Sequence, residues 1–395
     1  MNPEYAANLV NRRDLQPYLN ADQFEFRDSV NRVLTKHASP EYVRHCDEEK
    51  RFPQELVNVA AEQGWFGITL PEEYGGIGGY LDMAAYLEVV AYHTIALARF
   101  WNANVNMCGG ALARFAPEHI KAEVLPKLAA GNAWLAFALS ENGSGSDAAS
   151  LTTRGVADAD GEHYRIDGTK MWISGAMQAD YILTAVRTDP GAKKHDGISL
   201  FLVPTETRGL TINPIDLLGG HAIRTCEVVY DGVRVSKESI VGGLDVGWKK
   251  LTTVLSKERI ALSAMCVGGA QAAIDLARWY ANDRKQFGQA VIDFQAVSHL
   301  LADMQTRVDA ARMMSFRAAR LLDDGQPCDV ESSQAKYLAS DTYVQVATDG
   351  IQIMGANGYS AEYAMQRHFR EAKMFQIFGG TNQIQRNIVA RALKS

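Results

Sequence analysis

The hydrophobic period of this chain changes twice, and that constrains the fold more than any single motif. Phe24, Phe26, Val30, Val33 and Leu34 recur at helical spacing over 21–38. Pro53 opens a second helix through Leu56, Val57, Ala60 and Ala61, which Gly64 stops. After the turn Pro71-Glu72-Glu73-Tyr74-Gly75-Gly76, Ala- and Leu-rich helical patterns cover 81–128, with Gly109-Gly110, Pro117 and Pro126 as breaks. Near Trp134 the period drops to two. Short alternating runs at 134–139, 151–156, 164–166, 181–186, 198–203 and 226–230 are divided by Ala159-Asp160-Gly161, Asp167-Gly168 and Asp231-Gly232. Their turn spacing predicts an antiparallel β-domain of about a hundred residues. Helical texture returns after Gly247, over 248–287, 294–324, 334–354, 361–375 and 382–393. Helical ends around a β-domain make an α+β chain and exclude a parallel-sheet nucleotide fold. A dinucleotide would need a different cradle. We divide the chain into an extension (1–20), an N-terminal helical domain (21–133), a middle β-domain (134–246) and a C-terminal helical domain (247–395).

The 395 residues suffice for two or three domains, and 47% hydrophobic with 22% charged residues is an ordinary globular balance. A net charge of −6 argues against nucleic acid or an anionic membrane as partner. Cys46, Cys108, Cys226, Cys266 and Cys328 are scattered and odd in number, without metal or redox spacing, which points to reduced thiols, no metal and a cytoplasmic protein. The N-terminus lacks a basic start followed by an apolar run, and no uninterrupted apolar span is long enough for a bilayer.

The stretch Phe375–Arg386 combines an apolar segment, the double glycine Gly379-Gly380 and a helix start with Thr381 or Asn382 as N-cap. Such a turn leaves N–H groups pointing outward beside a positive helix end, a geometry suited to an anion or a carbonyl gaining charge. By itself it also reads as an ordinary capped loop.

An ordered series of motifs resembles the FAD-dependent acyl-CoA dehydrogenase family from about residue 21 to the C-terminus. The series is the turn 71–76, Phe137-Ala138-Leu139-Ser140-Glu141-Asn142-Gly143-Ser144-Gly145-Ser146-Asp147, Gly168-Thr169-Lys170-Met171-Trp172-Ile173-Ser174, Arg284-Lys285-Gln286-Phe287-Gly288 with Phe294-Gln295, Leu301-Ala302-Asp303-Met304, Gln352-Ile353-Met354-Gly355-Ala356-Asn357-Gly358-Tyr359, and 375–386. The resemblance implies a middle antiparallel β-barrel or sandwich domain and a C-terminal four-helix bundle. It implies FAD contacts at Phe137, Leu139, Ser140, Trp172 and Ser174, with Ser146 near both FAD and the pantetheine of the substrate. It places Arg284, Phe287, Gln295, Gln352 and Gly355 on the adenine and pyrophosphate half of a neighbouring subunit's FAD, and so implies a homotetramer. Thr381 and Gln383 join the cofactor set, and Arg259 and Gly380 the substrate set. Alone, Arg284 reads as a helix C-terminal charge and Trp172 as a core aromatic. Asn142 and Ala356 replace a common proline and glycine.

Gly379 stands where most of the family has the glutamate that removes the α-proton of an acyl thioester. Its N–H can still contact the thioester oxygen, but it supplies no base. Some relatives place the base on a helix, one residue before an Arg; here that is Glu258, before Arg259. Glu258 falls inside the stripe Leu251, Leu255, Leu262 and Met265, where a carboxylate is either paired, with Lys257, Arg259 or a neighbouring helix, or functional. Gly379-Gly380 also resembles crotonobetainyl-CoA reductase. Arg99 lies one position from an Arg that some relatives use for a substrate carboxylate, and reads better as a surface or helix-pairing residue. Three functions follow. The first is α,β-dehydrogenation of an acyl-CoA or acyl-carrier thioester, with an electron-transfer flavoprotein as acceptor. The second is the reverse, enoyl-CoA reduction, or another flavin-assisted acyl-CoA reaction of the crotonobetainyl-CoA reductase type. The third is a non-catalytic FAD-binding subunit of a heteromeric complex.

Overall fold

The computed structural model describes residues 13–394. The helices are α1 (Ala21–His37), α2 (Pro40–Glu48), α3 (Gln54–Glu62), α4 (Tyr80–His93), α5 (Ile95–Trp101), α6 (Gly110–Phe115), α7 (Glu118–Ala129), α8 (Gly247–Asp283), α9 (Gln295–Asp323), α10 (Asp329–Met354), α11 (Ala356–Tyr359), α12 (Met365–Phe375) and α13 (Asn382–Ala392). The main strands are β1 (Leu135–Ala138), β2 (Arg154–Ala157), β3 (His163–Ser174), β4 (Tyr181–Arg187), β5 (Ile198–Pro204), β6 (Leu210–Ile215), β7 (Thr225–Ser236) and β8 (Ile240–Val241). The α, β, α order expected from the period changes is present.

The sheet differs from the antiparallel expectation. Its path is β6-β7-β3-β2-β4-β5-β8, and β1 and β2 both meet β4 in parallel. The sheet is therefore mixed, and β6 and β8 end its path without closing a barrel. Strand β6 escapes the sequence reading because it contains Pro214, lies at the edge and is only half-buried. Helix α2 also escapes it, a nine-residue polar helix capped by Ser39. Gly109-Gly110 is not a break: a π-helical segment, Asn102–Gly109, runs directly into α6. Pro126 lies inside α7. Part of the expected extension packs into the protein, with Leu15 and Leu19 buried in the main core; residues 1–12 lie outside the described ones.

The period-two alternation of the central strands divides two cores. On β4, Ile182 and Val186 enter the β-domain's own core, whereas Leu183 and Ala185 join the helical core. On β5, Phe201 and Val203 face the first and Leu200 and Leu202 the second. The sheet is thus welded to the helices through its second face.

Helix α8 runs through the helical core between α4, α9 and α10. It is long and apolar enough by composition to cross a membrane, but its apolar window is 94% buried inside the protein. Gly268 and Gly269 allow close approach: a methyl group at Gly268 would lie 2.1 Å from the Glu88 carbonyl oxygen on α4, and one at Gly269 would lie 2.6 Å from the Tyr343 ring on α10. Beside the first contact, the buried Glu88 carboxylate accepts from Arg27 Nη1 at 3.1 Å and Arg312 Nε at 2.8 Å, tying α1, α4 and α9 together. Removing one member of such a cluster strands a buried charge.

Gly268→Ala forces α4 and α8 apart and is expected to lower the unfolding free energy by about 1–3 kcal/mol. Urea denaturation followed by far-UV circular dichroism checks this, and an unchanged midpoint would refute the close-packing account.

Candidate active site

The loop between α12 and α13 is held from behind. Thr381 is the N-cap, its Oγ1 accepting from Ile384 N–H at 3.2 Å. Gly379 and Gly380 have φ of 63° and 79°, the left-handed region that glycine tolerates. Gln385 Nε2 donates to the carbonyls of Gly379 (3.1 Å) and Gly380 (2.9 Å). Lys336, fully buried on α10, donates from Nζ to the Gly380 carbonyl at 2.9 Å and to Asn382 Oδ1 at 3.0 Å. With both carbonyls drawn inward, the N–H groups of Gly379, Gly380 and Thr381 have no acceptor among the described residues. They stand at the N-terminus of α13, where the helix dipole favours negative charge.

Glu258 faces this loop from α8. A methyl group on Gly379 would lie 3.5 Å from the Glu258 carboxyl carbon and 2.3 Å from Leu262 Cδ1, one turn further along α8. No side chain therefore fits at 379 without displacing Leu262. Glu258 is half-buried and has no hydrogen-bond or ion-pair partner among the described residues. Lys257 and Arg259, which the sequence offered as partners, and Lys336 on the neighbouring helix α10 are all engaged elsewhere. Arg259 faces Asp329, Nη1 to Oδ1 3.7 Å; Lys257 lies over the Tyr80 ring at 4.8 Å; Lys336 holds Gly380. Desolvation raises the Glu258 pKa to about 7, against the opposing charges of Arg259 and Lys336.

The motifs expected around a flavin ring meet on the sheet. Lys170 Nζ donates to Leu139 O (3.0 Å) and Glu141 Oε1 (2.9 Å), and Met171 N–H to Ser140 O (2.9 Å). Glu141 also accepts from Thr152 and Thr153 N–H; against the cost of burial, these donors and Lys170 hold its pKa near 2. This knot fixes half-buried Leu139 and Ser140 and leaves Ser146 exposed on the following loop. Phe137 is also half-buried. Trp172 sits at an irregularity of β3 with φ of 68° and is 50% exposed, an unusual setting for a large aromatic residue. Its neighbour Ser174 accepts from Arg99 Nη2 at 3.0 Å. Arg99 is neither a surface nor a helix-pairing residue: it is buried and also donates to Gly220 O at 3.2 Å, joining α5 to the β-domain.

The remaining predicted residues form a separate, exposed group. Arg284 follows α8 and opens a hairpin whose tip, Phe287, is 96% exposed with φ of 50°. Gln295 is exposed at the start of α9. Gln352 and Gly355, the latter at φ 59°, lie exposed at the end of α10, and Asn357 Nδ2 bonds Tyr280 OH at 2.7 Å to hold that turn against α8. Gln383 is also exposed but stands apart from this group, on the first turn of α13 next to the Gly379-Gly380 loop. From Glu258 to Arg284, α8 extends about 39 Å. Lys336 and Gln385 escape the sequence reading of the site, and Arg99 is misread there as a surface or helix-pairing residue. The one sequence signal for Lys336 is a lysine among the small and apolar residues Ala335, Ala339 and Tyr343.

Gly379→Ala is expected to cost roughly 1–2 kcal/mol of stability, through the positive φ and the Leu262 contact. Thermal denaturation of Gly379→Ala with and without Leu262→Ala tests the steric part, which the double variant should recover.

Comparison with known proteins agrees with this geometry. Models of the N-terminal, middle and C-terminal domains of acyl-CoA dehydrogenase match residues 20–132, 136–233 and 245–394. The chain is 36% identical to probable acyl-CoA dehydrogenase FadE25 of Mycobacterium tuberculosis, over 93% of this chain and 94% of the relative. It is 34% identical to 3-(aryl)acrylate reductase of Clostridium sporogenes, over 94% of this chain and 98% of the relative. Its fold superposes on butyryl-CoA dehydrogenase from Megasphaera elsdenii with a TM-score of 0.92 at 32% identity, covering 95% and 99% of the two chains. The chain belongs to the acyl-CoA dehydrogenase family, and with it to the flavin oxidoreductases that act on CH–CH donors.

Proposed function

We propose that this protein forms an α,β double bond in an acyl thioester, with Glu258 removing the α-proton. The observation that carries the proposal is the unpaired Glu258 carboxyl facing Gly379. A carboxylate with a pKa near 7 is a base matched to neutral pH. The free N–H groups of Gly379 and Gly380 donate to the thioester oxygen and stabilise the charge that develops there as the α-proton leaves. Lys336 and Gln385 keep those N–H groups aimed by holding the carbonyls behind them. Leu262 takes up the space next to Gly379, so the substrate α-carbon rests between the loop and α8.

FAD, when bound, supplies the hydride acceptor at the β-carbon. The residues present fit it. Half-exposed Trp172 and the small-residue loop after Ser140 offer a face for a flat ring, with Ser174 as a hydroxyl beside it. Arg284, Gln352 and the Gly355 turn offer a guanidinium, a carboxamide and a positive-φ backbone suited to phosphate oxygens. Arg284 lies about 39 Å along α8 from Glu258, which sets the phosphate-suited group apart from the base on the same chain. In this reading each cofactor is shared between subunits of an obligate oligomer, a homotetramer, as the family resemblance implies. Reoxidation by an electron-transfer flavoprotein completes the proposed cycle.

The similarity to 3-(aryl)acrylate reductase favours a second reading, in which the same site runs in reverse and protonated Glu258 returns the proton to Cα during enoyl-thioester reduction.

Anaerobic mixing with short, branched and long acyl-CoAs, followed by flavin bleaching, tests the first reading. Glu258→Gln should slow bleaching by roughly 10²–10⁴-fold with FAD retained; bleaching at the wild-type rate would remove Glu258 as base. Because the base must be ionised, the rate should rise with pH through about 7 and level off above it. Lys336→Met removes a charge that favours the Glu258 carboxylate, so the limb of the profile should move to higher pH. The plateau should fall on the order of 10- to 100-fold as the loop loses its anchor.

A further inference from the structure

Arg99 is a buried cation held only by neutral groups. From α5 its Nη1 donates to Gly220 O at 3.2 Å, and its Nη2 donates to Ser174 Oγ at 3.0 Å and reaches Thr225 Oγ1 at 3.5 Å. It is 7% exposed and has no ion-pair partner among the described residues. The β-domain is shaped to admit it: Gly220 stands at φ 75°, and a methyl group there would collide with Nη1. The charges around it do not cancel it. Asp47 is taken up by Arg370, at 2.5 Å, and faces His221 at 3.4 Å. Glu371 on α12 is the carboxylate whose charge acts on Arg99. Burial raises the Glu371 pKa to about 7, so it carries only part of a charge at neutral pH, and Arg367 beside it adds another cation. A neutral donor makes the same kind of weld without burying a charge, so joining α5 to the β-domain does not by itself account for an arginine. What the charge adds is its effect on Ser174. A hydroxyl has two acceptor sites and one proton. With Oγ accepting from Arg99, the Ser174 proton is left for Thr225 Oγ1, at 3.3 Å, or for a group on the open face beside Trp172. Accepting from a cation polarises the O–H bond and strengthens it as a donor.

We propose that Arg99 is a positioning residue for the flavin: it fixes and polarises the Ser174 hydroxyl and sets an uncompensated positive charge behind it, so that the ring takes up electrons more readily. The proposal rests on the placement of the flavin ring against Trp172 and Ser174 given above. A reduced flavin ring carries more electron density than an oxidised one. A fixed cation attracts that density, and does so more strongly where water is excluded. In the dehydrogenase reading this favours hydride transfer from the acyl thioester; in the reverse reading it opposes transfer to the enoyl thioester.

Slow anaerobic reduction of the FAD-loaded enzyme in equilibrium with a redox dye reads the flavin potential without substrate. Arg99→Gln should lower the flavin's reduction constant against the dye at least tenfold, which is about 30 mV for a two-electron couple. Arg99→Lys should keep most of the wild-type value. Ser174→Ala should shift it in the same direction as Arg99→Gln, and this small change at a half-buried position decides the matter if Arg99→Gln yields no folded protein. An unchanged potential in Arg99→Gln or in Ser174→Ala, or a fall in Arg99→Lys as large as in Arg99→Gln, overturns the proposal. Flavin fluorescence tests the placement separately, because an indole against the ring quenches it: Trp172→Phe should raise the emission. Raised emission with an unchanged potential in Arg99→Gln removes the role of Arg99 and keeps the flavin where it is placed. Unaltered emission removes the placement and this proposal with it. The predicted shift in an enzyme that no acyl-CoA bleaches keeps the role of Arg99 and sinks the dehydrogenase reading.

Discussion

The close approach of α4 and α10 to α8 is the constraint on which the rest of this molecule depends. Gly268 and Gly269 leave no room for a methyl group against the Glu88 carbonyl or the Tyr343 ring. That contact sets α8 and α10 at a fixed spacing. Glu258 is carried by one of these helices and Lys336 by the other, and the two side chains approach the Gly379-Gly380 loop from their respective helices. A change in helix spacing would alter how the base and the loop face each other. The buried Glu88 cluster with Arg27 and Arg312 locks the same junction electrostatically.

The site couples two opposing electrostatic arrangements. Glu258 is desolvated and unpaired, so its proton is held to about neutral pH. Lys336 is desolvated as well, but its ammonium is spent on the Gly380 carbonyl and Asn382 instead of on Glu258. Had the two formed an ion pair, the carboxylate would be ionised at all working pH values and a weaker base. Their separation therefore keeps one group reactive and makes the other an anchor.

Much of the architecture was legible. A period near four over long stretches marks α8, α9 and α10, and a period of two marks β4 and β5, whose alternate residues enter two different cores. Strand β6 was not, because an edge strand with a proline buries too little to leave a pattern. The parallel pairing of β1 with β4 was not, because strand direction depends on connections and not on local period. The predicted break at Gly109-Gly110 failed because buried packing holds glycine in helical geometry against its propensity.

Within the site, the sequence by itself determined the chemistry available: no carboxylate at 379, a glutamate in an apolar stripe at 258, a double glycine before a capped helix. These follow from residue identity and local spacing. Only the tertiary structure decided that Glu258 is unpaired, that Arg99 is buried against Ser174, and that Lys336 holds the loop carbonyl from behind. Those facts join residues dozens of positions apart. Which cation reaches which acceptor depends on how the helices pack, and spacing along the chain does not encode it.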